Sequence, residues 1–210
     1  HRVRTPLTVV RTQAEITLRQ IDKPRNRKNL KEIIRAIDES SRAAGQLLDH
    51  AMVTFRADNL ALEKVNICQL INDTVDRLSP LADLRDISLE VELLHHASVL
   101  GDPILLQNAL YNIIDNAIKY SPIDSKVVTT ISSINEKIQI SVNDTGPGFN
   151  SDEPSKLIER FQRGENVEGI IGSGLGLTIA HEVVEAHKGH LEIKNLVGGG
   201  ACVSFLLPSH

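Results

Sequence analysis

The chain opens with apolar positions stepping by four and three residues: Val3, Leu7, Val10, Ala14, Leu18 and Ile21. After a polar break, DKPRNRKN (22–29), the same stepping resumes at Leu30, Ile34, Ile37, Ser41, Ala44, Leu48, Ala51 and Phe55. Such spacing draws one stripe along a helix, the seam of helix-on-helix packing. Two helices joined by a short polar loop make an antiparallel hairpin. One hairpin cannot enclose its own stripe, so the pattern predicts a second copy, a four-helix bundle and a homodimer.

From Leu60 the period changes. Residues 60–67 and 87–94 (ISLEVELL) read as strands, with NICQLINDTVDRLSPLAD between them as an amphipathic helix. Val99-Leu100-Gly101-Asp102-Pro103 predicts a turn into a further helix, ILLQNALYNIIDNAIKY. Strands follow at 126–134 and 137–143, then a polar, glycine-containing loop to about residue 173. A helix from Leu175 to His187 and a hairpin (190–196, 201–207, turning at Gly198-Gly199-Gly200) close the pattern. The expected fold class is α+β. A helical hairpin (1–57) and a joint (58–61) precede an α/β sandwich (62–210), whose mixed sheet of five or more strands packs on three helices.

Composition alters this picture little. Aromatics make up 3% of the 210 residues, with no Trp, so the core must be aliphatic. No apolar run approaches the roughly 18 residues that span a bilayer. Cys68 and Cys202 form no CxxC pair; two reduced thiols are expected, and they are too few for a zinc site. The net charge of −4 hides an asymmetry: residues 1–35 hold ten Lys/Arg against three Asp/Glu, a surplus of +7 that leaves −11 for residues 36–210. The basic end lacks interleaved aromatics, so it reads as a solvated helical face or a dock for an acidic protein, not as a nucleic-acid surface.

Three stretches could carry chemistry. In DTGPGF (144–149) a carboxylate at a strand end meets a glycine turn, where a flat ligand can reach the backbone and an exocyclic amine can donate to Asp144. Alone, it is also an ordinary strand-ending turn. GSGLGL (172–177) opens a helix with bare N–H groups suited to phosphate, but its spacing is neither the dinucleotide fingerprint nor a P-loop; alone, it equally fits a flexible helix entry. In NIIDNAIKY (112–120), Asn112, Asn116 and Lys119 share one helical face. Neutral amide oxygens there can hold Mg²⁺ while phosphates supply the negative ligands and Lys119 pairs with them; a solvated polar stripe is the plain alternative. Asp115, a rival ligand, is turned away from the Asn112/Asn116 face by about 100° of rotation per residue.

The order of these motifs is more specific than any one of them. GDPILLQNALYNIIDNAIKYSP, NDTGPGF, ERFQRG and GSGLGLTIAHEVVEAHKGHLEI stand where the N, G1, F and G2 boxes stand in gyrase-type ATPases and sensor histidine kinases. With the opening HRVRTPL, the whole chain resembles the cytoplasmic core of a sensor histidine kinase. That resemblance implies ATP-dependent phosphorylation of His1, transfer to an aspartate of a response-regulator receiver domain, and phosphatase activity through Thr5. It implies Mg²⁺ at Asn116, with Asn112, Lys119 and Tyr120 around the phosphates. Asp144 is implied to read adenine, with Gly146 and Gly148 shaping the pocket, and Arg163 to reach the γ-phosphate. Gly172, Gly174 and Gly176 are implied to offer amides to the phosphates, with Leu175 and Leu177 packed behind. A cytoplasmic fragment of an inner-membrane sensor, without its input domain and without direct membrane contact, is expected.

The stripe Val3/Leu7/Val10/Ala14 centres opposite His1, which places the histidine toward solvent, while Pro6 leaves the Arg2 carbonyl without its helical donor and makes a deformable spot. The remaining histidines (50, 95, 96, 181, 187, 190 and 210) read as ordinary surface residues. Arg2 departs from the family, which usually places Glu or Asp after the histidine as a proton acceptor. A guanidinium accepts no proton, favours neutral imidazole and can pair with phosphate. The alternative reading is therefore an ATP-binding but weak or inactive kinase acting as phosphatase or scaffold. A gyrase-type ATPase without phosphohistidine leaves HRVRTPLT unexplained.

Overall fold

The computed structural model describes residues 60–93, 97–149 and 175–210 throughout, together with some positions between 10 and 56. Among the latter, 10–12, 14, 16–18, 28–34, 36–38 and 40 are helical. Arg11 Nε lies 3.3 Å from Asp38 Oδ1, an ion pair between the two helical stretches. Val10, on the apolar seam, stays half exposed within the single chain.

The second unit runs β1 (Glu63–Asn66), α1 (Ile67–Asp83), β2 (Ile87–Leu93), β3 (Ser98–Gly101), α2 (Pro103–Tyr120), β4 (Ser125–Ile134), β5 (Lys137–Asn143), α3 (Leu175–Ala186), β6 (His190–Asn195) and β7 (Ala201–Pro208). Five strands form a mixed sheet in the order β2-β4-β5-β7-β6. β2 and β4 are parallel, with Leu89 opposite Val127, and the other pairs are antiparallel. Asn135 and Glu136, both at positive φ, make the two-residue turn between β4 and β5, whose twist suits a hairpin.

One expectation changes. Residues 98–101, read as part of a turn, form β3, which pairs antiparallel with β1 and sets Val65 opposite Val99. Four residues are too few for alternation to register, and the partner strand makes this one.

The helices follow their local sequence. Asn66 caps α1 by accepting from Gln69 N–H. Asp102 caps α2 by accepting from Ile104 and Leu105 N–H at 3.0 and 3.2 Å, and Pro103 fills the first turn, where no donor is missed. Ile71 and Leu78 of α1, Leu110, Ile114 and Ile118 of α2, and Ile179 and Val183 of α3 face Val127, Ile131, Ile140 and Phe205 of the sheet in one aliphatic core. Truncating one of these, Ile114→Ala for example, costs about 2–5 kcal/mol in lost burial and residual cavity. Cys68 and Cys202 are thiols, as expected. No helix among the described residues is long and apolar enough to cross a membrane.

Candidate functional site

The site is built on α2. Asn112 is buried, while Asn116 and Lys119 are half-buried, so the asparagines do not form a solvated stripe. Asn112 Nδ2 donates to Asn108 O at 2.9 Å, which commits the amide nitrogen to the helix and leaves Oδ1 as an acceptor. Gly176, near the start of α3, faces both asparagines. A Cβ built there would lie 3.1 Å from Asn116 Nδ2 and 3.5 Å from Asn112 Oδ1. The missing side chain is what keeps the amide pair accessible.

Asp115 is less remote than the rotation argument implied. It forms an i,i+4 ion pair with Lys119, which occupies the lysine expected at the phosphates. The rotation that separates Asp115 from Asn116 brings it beside Lys119. No group of three or more His, Cys, Asp or Glu among the described residues could hold a metal ion. The side-chain amide oxygens of Asn112 and Asn116 are hard donors of the kind that fits Mg²⁺ when phosphates complete the set.

The C-terminal end of α2 meets the glycine turn. A Cβ on Gly146 would come within 2.7 Å of the Tyr120 carbonyl oxygen, so no larger residue fits there. Gly148 needs its glycine for a different reason, a φ of +74°. Asp144 is buried, and its Oδ1 accepts from Gly146 N–H at 2.8 Å and Ala201 N–H at 3.1 Å. Burial pushes its carboxyl above the usual range, and those two hydrogen bonds partly oppose the shift. No hydrogen bond to Oδ2 is found among the described residues, so Oδ2 is the atom left to read a ligand.

Leu177 packs against the core behind Gly176. His1, Arg2, Thr5, Arg163, Gly172 and Gly174, as well as the side chain of Leu175, lie outside the described residues. The structure thus brings Asn112, Asn116 and Gly176 together. It gathers Tyr120, Asp144, Gly146 and Gly148 one turn further along α2.

Sequence reasoning missed a second cluster, where α2 begins. His187, expected at the surface, is buried. Its Nε2 accepts from Asp102 N–H at 2.9 Å and its Nδ1 donates to Val183 O at 2.7 Å, so the ring is neutral with its proton on Nδ1. Burial lowers its pKa, opposed by the Val183 hydrogen bond and the Asp102 charge. The signal was available, because Ile179, Val183 and His187 step by four along the buried face. Arg56 Nη1 reaches Asp102 Oδ2 at 3.2 Å and ties the N-terminal helical stretch to the capped end of α2. Nothing in the local pattern announced that contact.

A family model described as histidine kinase-, DNA gyrase B- and HSP90-like ATPase matches residues 101–210. The sensor protein kinase PmrB of Pseudomonas aeruginosa is 31% identical over 215 residues, covering 99% of this chain and 44% of that protein. The chain thus spans less than half the length of such relatives. A mycobacterial sensor histidine kinase, MprB, superposes with a TM-score of 0.64 at 30% identity, over 71% of this chain and 99% of that one. Full-length ShkA, solved with AMPPNP, superposes with a TM-score of 0.72 at 27% identity, over 100% of this chain and 44% of that one. With both asparagines facing Gly176 near the start of α3 and a buried aspartate at the glycine turn, the chain belongs to the histidine kinase-, DNA gyrase B- and HSP90-like ATPase family, as the cytoplasmic core of a sensor histidine kinase.

Proposed function

We propose that this chain is the ATP-dependent autokinase core of a two-component sensor. The observation that carries the reading is the convergence of Asn112 and Asn116 of α2 with Gly176 of α3, one turn before Tyr120, whose carbonyl lies against Gly146 in the turn that follows Asp144. Asn116 and Tyr120 are about 6 Å apart along the α2 axis, so the two clusters lie at neighbouring but separate places on one helix. Asp144 Oδ2 accepts the adenine amine, and Gly146 lets the ring approach. Asn116 would hold Mg²⁺, which would supply positive charge against the phosphates; Asn112, Lys119 and Tyr120 would line that end. Lys119 exchanges Asp115 for phosphate when nucleotide enters. Gly172, Gly174 and Gly176 supply backbone N–H groups, with Leu175 and Leu177 behind them, and Arg163 meets the γ-phosphate.

A ring nitrogen of His1 attacks the γ-phosphorus, the bond to the β,γ-bridging oxygen breaks and ADP departs with those electrons. The imidazole proton goes to water, because Arg2 cannot take it; Arg2 pairs with the transferred phosphoryl group instead. An aspartate of a response-regulator receiver domain then accepts the group, and Thr5 orients the water that hydrolyses that aspartyl phosphate to free aspartate and inorganic phosphate. The helical stretch before residue 57 pairs with a second copy in a four-helix bundle, and the parent protein is anchored in a membrane with this portion in the cytoplasm. The likeness to PmrB over 99% of the chain and to ShkA over all of it supports the assignment.

Incubation with γ-labelled ATP and Mg²⁺ is expected to yield an acid-labile, alkali-stable adduct that is absent in His1→Gln. An acid-stable adduct, or label that survives the substitution, refutes the proposal. Thr5→Ala is expected to lose dephosphorylation of the receiver domain while keeping autophosphorylation.

A further inference from the structure

The loop from Asp144 to Phe149 is held from its far side by the β6–β7 hairpin. Asn195, the last residue of β6, commits both ends of its carboxamide to one backbone residue. Phe149 N–H donates to Asn195 Oδ1 at 2.6 Å, and Asn195 Nδ2 donates to Phe149 O at 2.8 Å. This is the pairing a neighbouring strand would offer, supplied by a side chain. The contact spans 46 residues of sequence, and Asn195 is exposed, so core packing does not account for it.

Two glycines make the approach possible. A Cβ on Gly148 would lie 2.8 Å from Asn195 Oδ1, and one on Gly200 would lie 2.1 Å from the Asp144 carbonyl oxygen. At the other end of the loop, Asp144 N–H donates to Ala201 O at 2.9 Å while Ala201 N–H donates to Asp144 Oδ1. The hairpin therefore grips both the entry and the exit of the loop. Asn112, Asn116 and Gly176 belong instead to α2 and α3.

We infer that Asn195 is a positioning residue for base recognition: by clamping Phe149 it holds Gly148 and Asp144 in the geometry that receives adenine. The inference rests on the proposed role of Asp144. It predicts a split between the two ends of the nucleotide, because the clamp acts on the base end alone.

Calorimetric titration of the 210-residue chain with Mg²⁺ present, using ADP and inorganic tripolyphosphate as probes, tests this. Asn195→Ala is expected to weaken ADP by about three- to tenfold, the worth of one or two hydrogen bonds, and to leave tripolyphosphate unchanged. Asn195→Asp keeps the acceptor for Phe149 N–H and loses the donor, so its ADP affinity should fall between the two. Unchanged ADP affinity in Asn195→Ala overturns the inference, and so does equal weakening of both probes, which marks general loosening. Should the alanine variant fold poorly, Asn195→Asp carries the same comparison with the same outcomes. Wild-type protein that fails to bind ADP defeats the reading of Asp144, a result distinguishable from failure of the clamp.

Discussion

Gly176 stands against Asn116 with nothing between them: a Cβ at position 176 would lie 3.1 Å from the Asn116 side-chain nitrogen. One residue from α3 thereby controls access to an amide on α2. A contact of 3.1 Å is tighter than an ordinary Cβ packing distance, so any side chain at position 176 must displace the Asn116 amide. Gly176→Val, with more bulk against both asparagines, is expected to weaken Mg²⁺–ADP by at least about tenfold, or 1.4 kcal/mol. Calorimetry checks it, and Mg²⁺–ADP affinity in Gly176→Val equal to that of the wild type would contradict the steric account.

Asp144 gives a prediction in which stability and function separate. Its folded pKa is raised by burial, so the stability it confers is complete below its unfolded pKa of about 3.9 and is lost as pH rises through the folded value. At neutral pH its charge is a cost. Asp144→Asn keeps an Oδ1 acceptor for Gly146 and Ala201 N–H, so its thermal midpoint at pH 7 should equal or exceed that of the wild type. Its Nδ2 donates where Oδ2 accepted, so ADP affinity should fall by at least about tenfold, because a buried donor then faces the adenine amine.

His187 behaves in the opposite sense. Its folded pKa is lowered, so its contribution is complete above the unfolded pKa of about 6.5 and is lost as pH falls below it. Protonation removes the Nε2 acceptor from Asp102 N–H, with Asp102 Oδ1 and Oδ2 committed to the α2 cap and to Arg56. Urea midpoints should decline from pH 7.5 to pH 5. His187→Ala should lower the unfolding free energy at pH 7.5 by about 1–3 kcal/mol, the cost of an unsatisfied buried donor, and flatten the profile. An unaltered pH slope in that variant would assign the dependence to other groups.

Arg56 and Asp102 tie together two parts of the chain. Asp102 is 1% exposed, so Arg56→Ala leaves a buried carboxylate short of its cation. The expected loss is about 1–3 kcal/mol in unfolding of the sheet-containing unit, with partial recovery in Arg56→Lys. Identical denaturation curves for wild type and Arg56→Ala would show that the pair contributes nothing.

Sequence alone marked every element of the second unit except β3. Period-3.6 stripes marked α1, α2 and α3, alternation marked β4 and β5, and the run Gly198-Gly199-Gly200 marked the last turn, because these signals are local. It also set Asn112 and Asn116 on one face and Asp144 at a strand end. Tertiary structure decided which way that face looks: it is turned toward Gly176, sixty residues from Asn116, instead of forming a solvated stripe. It made β3 from four residues that pair only because β1 lies alongside. It also buried His187 against Asp102 and joined Asn195 to Phe149, contacts spanning 85 and 46 residues. Side-chain period and turn chemistry are written residue by residue, whereas a hydrogen bond between distant elements exists only once the core has fixed their separation to within a few tenths of an ångström.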